Sequence, residues 1–283
     1  MSGAIDLHAH SSVSDGTERP GHLIRSAVAA GLGTIALTDH DSSAGWQEAF
    51  SAADKTGLTV IPGMELSTQH GGRSVHLLAY LFDPLDPGIL ETTARIRESR
   101  LHRAEAIVRR IGADYPIAWS DVLAQTTAGA TVGRPHIADA LVALGIVDDR
   151  SAAFADILHP RSGYFQAHYA PDPLQAVRLV RAAGGVPVLA HPGTRGRKGV
   201  IPADELALLV EAGLFGLEIG HRENTESGTA RLLELADEFQ LAITGSSDYH
   251  GEGKPNRLGE NTTEPEVLER IIDAGSGSVP FYG

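Results

Sequence analysis

The chain has no cysteine in its 283 residues. Disulfides, iron–sulfur clusters and thiolate zinc sites are therefore excluded. It is also short of positive charge, with 23 lysines and arginines against 36 acidic residues and a formal charge of −13. That balance excludes sequence-independent binding of duplex nucleic acid, which needs a basic surface. It leaves room for a short phosphorylated ligand held by metals and a few arginines. No apolar run approaches the roughly eighteen residues of a membrane span, and no charged-then-apolar leader precedes Asp6. A soluble cytoplasmic protein without a membrane partner is expected. The nucleophile elbow Gly-x-Ser-x-Gly and the phosphate loop Gly-x₄-Gly-Lys-Ser/Thr are both missing. Gly31-x-Gly33 lacks a third glycine and precedes a strand, so it is no dinucleotide fingerprint.

What is present is ordinary for a globular enzyme: 42% apolar and 21% charged residues. The length suits one large α/β domain, or a barrel with a small inserted unit. Short apolar runs at residues 4–7, 34–37, 58–62, 74–80, 186–190, 216–219 and 242–245 read as strands. Helical patterns at 18–30, 45–56, 173–183, 203–211 and 228–239 alternate with them. Such alternation predicts a parallel sheet with helices outside. Residues 91–169 break the rhythm with helical patterns at 95–111, 121–123, 135–144 and 151–158. This stretch is expected to be a helical insertion that splits the α/β body into 1–90 and 170–283.

Chemistry gathers at the strand ends. In Asp6-Leu7-His8-Ala9-His10 a period of two puts Ile5 and Leu7 on one face and both histidines on the other, beside Asp6. Two neutral imidazoles side by side chelate a divalent metal well. The next strand runs into Thr38-Asp39-His40-Asp41, and the third into Pro62-Gly63-Met64-Glu65. His76 lies in the fourth, His191-Pro192 ends the fifth run, and Ser247-Asp248-Tyr249-His250 ends the last. Polar residues at the carboxyl ends of successive parallel strands converge on one mouth. One such residue is usually just solvated; six strand ends all carrying His, Asp or Glu point to a metal site.

Taken together, His8-x-His10, Thr38-Asp39-His40, Pro62-Gly63-x-Glu65, His76, His191-Pro192 and Ser247-Asp248-x-His250 resemble the motifs of the PHP (polymerase and histidinol phosphatase) superfamily, in that family's order. The resemblance implies a distorted (β/α)₇ barrel with up to three divalent metals. It is closest to the branch that hydrolyses nucleoside 3′,5′-bisphosphates and trims short RNA from its 5′ end. That branch carries a Gly-Arg-Pro-His element in a helical insertion, matched by Gly133-Arg134-Pro135-His136, and a Ser-Asp-Gly element, matched by Ser14-Asp15-Gly16. The family pattern implies a first metal on His8, His10, Glu65 and Asp248. A second would share Glu65 and add His76 and His191, and a third would take Asp15, His40 and His250. Asp39 and Asp41 would support the ligands by fixing tautomers and ring angles, and Arg134 and His136 would contact the substrate. Arg195 and Lys198, in the loop after His191-Pro192, are weaker candidates for that task.

Charge supports a phosphate monoester independently. Three divalent ions against Asp15, Glu65 and Asp248 leave an excess of about three positive charges, which a monoester dianion plus one hydroxide would neutralise. The expected reaction is in-line hydrolysis by a hydroxide bridging two metals. Two to three ions per chain are expected, with Mn²⁺ favoured and Fe²⁺ or Zn²⁺ compatible with the same donors. Three other readings stand beside this one: a histidinol-phosphate or other small phosphomonoesterase, a non-catalytic PHP scaffold module, and a metal-dependent amidohydrolase. A histidine where Asp15 stands would mark the histidinol phosphatases. Lost ligands would mark the scaffold, and none is lost. Amidohydrolases usually lack the bridging Glu65 and the terminal Asp-x-His.

Overall fold

The computed structural model describes residues 3–283, apart from the Arg197 side chain. Strands β1 (Ala4–Ala9), β2 (Leu32–Leu37), β3 (Thr59–His70), β4 (Arg73–Tyr80), β5 (Val186–Ala190), β6 (Gly216–Gly220) and β7 (Ala242–Gly245) lie side by side in chain order. A two-residue strand, β8 (Phe281–Tyr282), pairs with the start of β3. The helices are α1 (Pro20–Ala29), α2 (Trp46–Ala53), α3 (Pro87–Ile111), α4 (Trp119–Leu123), α5 (Arg134–Ala143), α6 (Arg150–Ala155), α7 (Pro173–Ala182), α8 (Ala203–Glu211), α9 (Glu226–Glu238) and α10 (Pro265–Ala274). Proline opens α1, α3, α7 and α10, where its fixed φ suits the first turn and its missing N–H is no loss. Asp86, Asp149, Asp172 and Thr225 cap α3, α6, α7 and α9 through side-chain oxygens.

The sheet is mixed rather than wholly parallel, because β4 runs antiparallel to both β3 and β5. Only Gly71 and Gly72 separate β3 from β4. Two residues can close a hairpin but cannot carry the crossover that a parallel neighbour requires. The third strand also does not stop at Pro62. It pairs with β2 as far as Leu37–Pro62, then takes β4 as partner from Gly63–Tyr80 onward. Pro-Gly marks this change of partner, so Glu65 lies inside a 12-residue strand rather than after one. Gly63 is needed there, since a Cβ would stand 2.9 Å from Thr38 Cγ2.

The barrel closes irregularly. No strand ladder joins β1 to β7 among the described residues; an isolated bridge joins Ala9 to Tyr249. The Asp6 carboxylate reinforces this seam by accepting the amides of Ser247 and Gly259, both at 2.9 Å. One apolar cluster fills the barrel, drawing Ile5, Leu7, Ile61, Leu78 and Val188 together with Leu268 and Ile271 of α10. A second lies between the sheet and helices α1, α2, α7, α8 and α9. A third, separate from both, runs from Ala104 to Leu158. Helix α3, about 37 Å long at 1.5 Å per residue, joins the last two: Ile89 and Ile96 pack in the cluster around the sheet, Ala104 to Ile111 in the third. Among the described residues no helix is long and apolar enough to cross a membrane.

Candidate metal centre

A bulge in β1 aims the first two histidines. Between Asp6 and Ala9 the register against β2 slips by one residue. Ile5 and Leu7 therefore pack in the barrel interior, while Ala9 packs in the outer layer. The simple alternation breaks, and His8 and His10 enter the mouth without Asp6, which stays at the seam. His40 is brought to Glu65 by an isolated bridge beyond the end of β2. His76 pairs across β4 with Ser67 on one side and Ala190 on the other. His191 and Asp248, after β5 and β7, hold left-handed φ values of +32° and +53°, and Asp41 one of +52°. Non-glycine residues in that region cost about 1–3 kcal/mol each and tend to mark functional sites.

The donor atoms converge. His8 Nε2 lies 3.0 Å from His10 Nε2, and 3.4 Å from both Glu65 Oε2 and Asp248 Oδ1. His10 Nε2 is 3.2 Å from each of the same two oxygens. Donors about 2.1 Å from a shared ion stand about 3.0 Å apart on an octahedral edge and about 3.4 Å on a tetrahedral one. The separations of this group match that range. Glu65 faces two ways: Oε2 is 3.1 Å from His40 Nδ1, while Oε1 is 2.7 Å from His76 Nδ1 and 3.1 Å from His191 Nε2. A third group joins Asp15 to His250 Nε2 at 3.2 Å, to His10 Nδ1 at 3.6 Å and to His40 Nε2 at 3.6 Å. The nine residues expected as ligands thus occupy one continuous cluster. His10 and His40 each reach two groups, so their assignment to single ions in the family pattern is simpler than the geometry.

Hydrogen bonds fix which nitrogen each ring offers. Glu218 Oε1 accepts from His8 Nδ1 at 3.0 Å, leaving the Nε2 lone pair for the cluster. Glu218 Oε2 accepts the His191 amide at 2.8 Å. His250 Nδ1 donates to the Asp248 carbonyl at 2.8 Å. Asp248 Oδ2 takes the Lys254 ammonium at 2.6 Å, which leaves Oδ1 facing His8 and His10. The support expected from Asp39 and Asp41 takes another form. Asp39 accepts from the Ser11 amide and the Ser11 and Ser14 hydroxyls, and Asp41 from the amide and hydroxyl of Ser67. Neither hydrogen-bonds a ring nitrogen; Asp39 reaches His10 only through Ser14 Oγ, 3.3 Å from Nδ1. Both carboxylates follow a strand by one turn, where backbone amides are the nearest donors. Glu218, Lys254 and His221, whose Nε2 lies 3.5 Å from Asp248 Oδ2, escaped the sequence reading.

Electrostatics favour a cation at the centre. Burial resists a charge on His10, yet Asp248 and Glu65 outweigh it and raise its pKa to about 9. Burial likewise opposes ionisation of Glu218, but His8 beside it holds its carboxyl at about 2. Buried carboxylates that stay ionised, around rings whose lone pairs converge, form a donor set fit for divalent metal. Glu218 and Lys254 add opposite single charges, so the excess of about three positive charges expected for a loaded cluster is unchanged.

A protein-family comparison matches residues 6–112 to the PHP domain. Similarity to characterised proteins extends further. The chain is 32% identical over 276 residues to a 5′-3′ exoribonuclease of Haemophilus influenzae, covering 96% of this chain and 98% of that one. The chain belongs to the PHP domain family.

Other relatives include a 3′,5′-nucleoside bisphosphate phosphatase of Chromobacterium violaceum, 32% identical over 94% of both chains. A phosphoribosyl 1,2-cyclic phosphate 1,2-diphosphodiesterase of Eggerthella lenta is 32% identical, over 87% of this chain and 94% of its own. A crystal structure from Bifidobacterium adolescentis, described as that of a metal-dependent phosphoesterase, is 41% identical with a TM-score of 0.93 and 98% of both chains covered. This PHP chain is accordingly a hydrolase, a metal-dependent phosphoesterase built on a distorted barrel.

The PHP cluster lines a cavity of about 1050 Å³ whose wall also carries basic side chains. Arg100 and Arg103 of α3 are buried, and Arg134 at the start of α5 is half-buried beside them. Arg100 donates to Ser67 Oγ at 2.9 Å and Arg103 to His168 Nδ1 at 2.9 Å. Among the described residues Asp41, 3.7 Å from Arg100, is the one carboxylate paired with any of the three. Burial, then mutual repulsion, lowers the pKa of Arg103 and Arg134. His168 is held at about 2, hence neutral, by burial and by Arg103. Arg195 and Lys198 also line the cavity, both exposed to solvent. His136 is not brought into this wall. It is buried at the foot of α5, where Nδ1 accepts the Gly133 amide at 3.1 Å and the ring bonds the Ser14 backbone.

Proposed function

We propose that this enzyme removes the 3′-phosphate of nucleoside 3′,5′-bisphosphates and trims short 5′-phosphorylated RNA. One observation carries the reading: a single cavity holds two unlike anion sites. The floor offers converging imidazoles and carboxylates, and the roof offers three guanidinium groups with almost no carboxylate to neutralise them. A buried cation without a counter-charge is costly, and guanidinium matches phosphate through paired hydrogen bonds. A substrate with a phosphate at each end satisfies both sites.

His8, His10, Glu65 and Asp248 would hold one ion, Glu65 with His76 and His191 a second, and Asp15, His40 and His250 a third. Bound there, divalent ions supply Lewis acidity that neutralises phosphoryl charge and makes water nucleophilic near neutral pH. Glu218 keeps His8 in the tautomer that presents Nε2, and Lys254 orients Asp248. Arg100, Arg103 and Arg134 grip the phosphate that is not cleaved, which fixes the reacting phosphate over the floor. Residues 91–169 form the inserted unit that supplies this roof, and small phosphorylated molecules are the partners it admits. Mn²⁺ is the expected ion.

The test is a phosphate-release panel with Mn²⁺-loaded protein. It compares adenosine 3′,5′-bisphosphate, AMP, histidinol phosphate, phosphoribosyl 1,2-cyclic phosphate and a short 5′-phosphorylated RNA. The bisphosphate should give the highest kcat/KM among the mononucleotides and small phosphates. Faster turnover of histidinol phosphate or of the cyclic diester would replace the reading.

A further inference from the structure

The roof carries an aromatic ring that belongs to no hydrophobic cluster among the described residues. This ring, Phe165, is 40% exposed. Its backbone is nevertheless firmly held. Arg110 donates to the carbonyls of Tyr164 at 3.3 Å and Phe165 at 2.8 Å, and to Gln166 Oε1 at 3.0 Å. The Tyr164 hydroxyl adds a hydrogen bond to Asp114 at 2.6 Å. A segment pinned on both sides of the residue thus presents the ring to the cavity. That ring lies 5.9 Å from the Arg134 guanidinium, which also stands 5.3 Å from the ring of Phe154. Phe165 thus lines the cavity with the π-face of an unsubstituted phenyl ring beside the Arg134 guanidinium, a surface on which a planar ligand can stack.

We propose that Phe165 is a stacking platform for the nucleobase of the substrate. The inference rests on the bisphosphate reading above. In a β-nucleoside the base and the 5′-carbon project from the same face of the ribose. A 5′-phosphate on Arg134 therefore brings the base beside Phe165, while the 3′-oxygen on the opposite face is directed away, toward the floor. Stacking on an unsubstituted phenyl ring uses the π-face that every base has, so the platform selects for a base without selecting which one. Phe154 packs against the helical core and backs Arg134 rather than the base.

The experiment compares adenosine 3′,5′-bisphosphate with ribose 3,5-bisphosphate, which has both phosphates and no base, in wild type, F165A and F165W. The wild type should prefer the adenosine compound. In F165A the ratio of the two kcat/KM values should fall about ten- to a hundred-fold, the range a lost base stack produces, and F165W should restore it. The uridine and guanosine bisphosphates should fall along with adenosine. An unchanged ratio in F165A overturns the proposal, as does an equal loss on both substrates, which would make Phe165 a structural residue. A separate arm needs no turnover: the indole of F165W should be quenched on titration with adenosine 3′,5′-bisphosphate and not with ribose 3,5-bisphosphate, against a wild-type control containing Trp46 and Trp119. If the wild type cleaves neither bisphosphate, the substrate reading fails, and this arm alone decides the platform: quenching keeps it, no quenching discards it.

Discussion

Replacing Glu218 by glutamine changes no volume and removes one charge, yet it should disable two ligands together. One carboxylate oxygen accepts from His8 Nδ1 at 3.0 Å and the other from the His191 amide at 2.8 Å. Both partners are donors, and an amide has only one oxygen. If that oxygen stays on the His191 amide, the amide NH₂ faces His8 Nδ1 and drives the imidazole proton to Nε2, the atom that faces His10, Glu65 and Asp248. If it turns to His8, the NH₂ opposes the His191 N–H and a buried donor is left unpaired, at about 1–3 kcal/mol. Either outcome weakens the cluster, and loss of a carboxylate that orients a ligating histidine typically costs 10–100-fold in metal affinity. The assay is calorimetric titration of metal-stripped E218Q with Mn²⁺, alongside its circular dichroism melt. An apparent Kd at least tenfold weaker, with the fold retained, is expected. Wild-type affinity in a folded E218Q protein would refute the tautomer argument.

The remaining expectations concern the cluster and its roof. Glu65→Ala should be the harshest ligand change, because Glu65 faces both the His8–His10 side and the His76–His191 side. Elemental analysis should show two ions lost or severely depleted, and wild-type content would contradict the bridging role. Asp15→Asn should lower phosphate release at least tenfold while two ions remain; full activity would leave Asp15 as only the turn residue of Ser14-Asp15-Gly16. Arg134→Ala should cost about 1.5–3 kcal/mol, roughly ten- to a hundred-fold in kcat/KM, on a bisphosphate and far less on a simple aryl phosphate. Equal losses would move Arg134 to the reacting phosphate. Chelating the metal from protein kept in free metal at about a thousand times its Kd should remove about 4 kcal/mol and lower Tm by about 8 °C, at about 2 °C per kcal/mol for a chain of this size. An unmoved melt would mean that the cluster binds no metal in the native state.

Much of this was legible in the residues because parallel α/β architecture concentrates chemistry at strand ends. Histidines and carboxylates there stand out against short apolar runs, and the structure gathers all nine expected ligands. Part of what escaped lay inside regular elements, while His221 and Lys254 lie in the loops after β6 and β7. Glu218 sits mid-strand between buried Leu217 and Ile219. Its signal was a charged residue in a strand covered on both faces, where every side chain should be apolar. Arg100 and Arg103 belong to the charged side of a long helical pattern, which by itself reads as a face toward water. They are buried because His168 and the start of α5 close over them, a contact between segments more than thirty residues apart in sequence. The antiparallel β4 is written in the two glycines after His70, a connection too short for a parallel crossover.

Hydrolysis of adenosine 3′,5′-bisphosphate in ¹⁸O-water, with the products resolved by ³¹P NMR and mass spectrometry, tests the central claim most directly. Water attack on a terminal phosphate held at the floor should give inorganic phosphate carrying one ¹⁸O and unlabelled adenosine 5′-monophosphate, only with metal present. Label in the nucleoside, release of the 5′-phosphate instead, or undiminished turnover after chelation would contradict it.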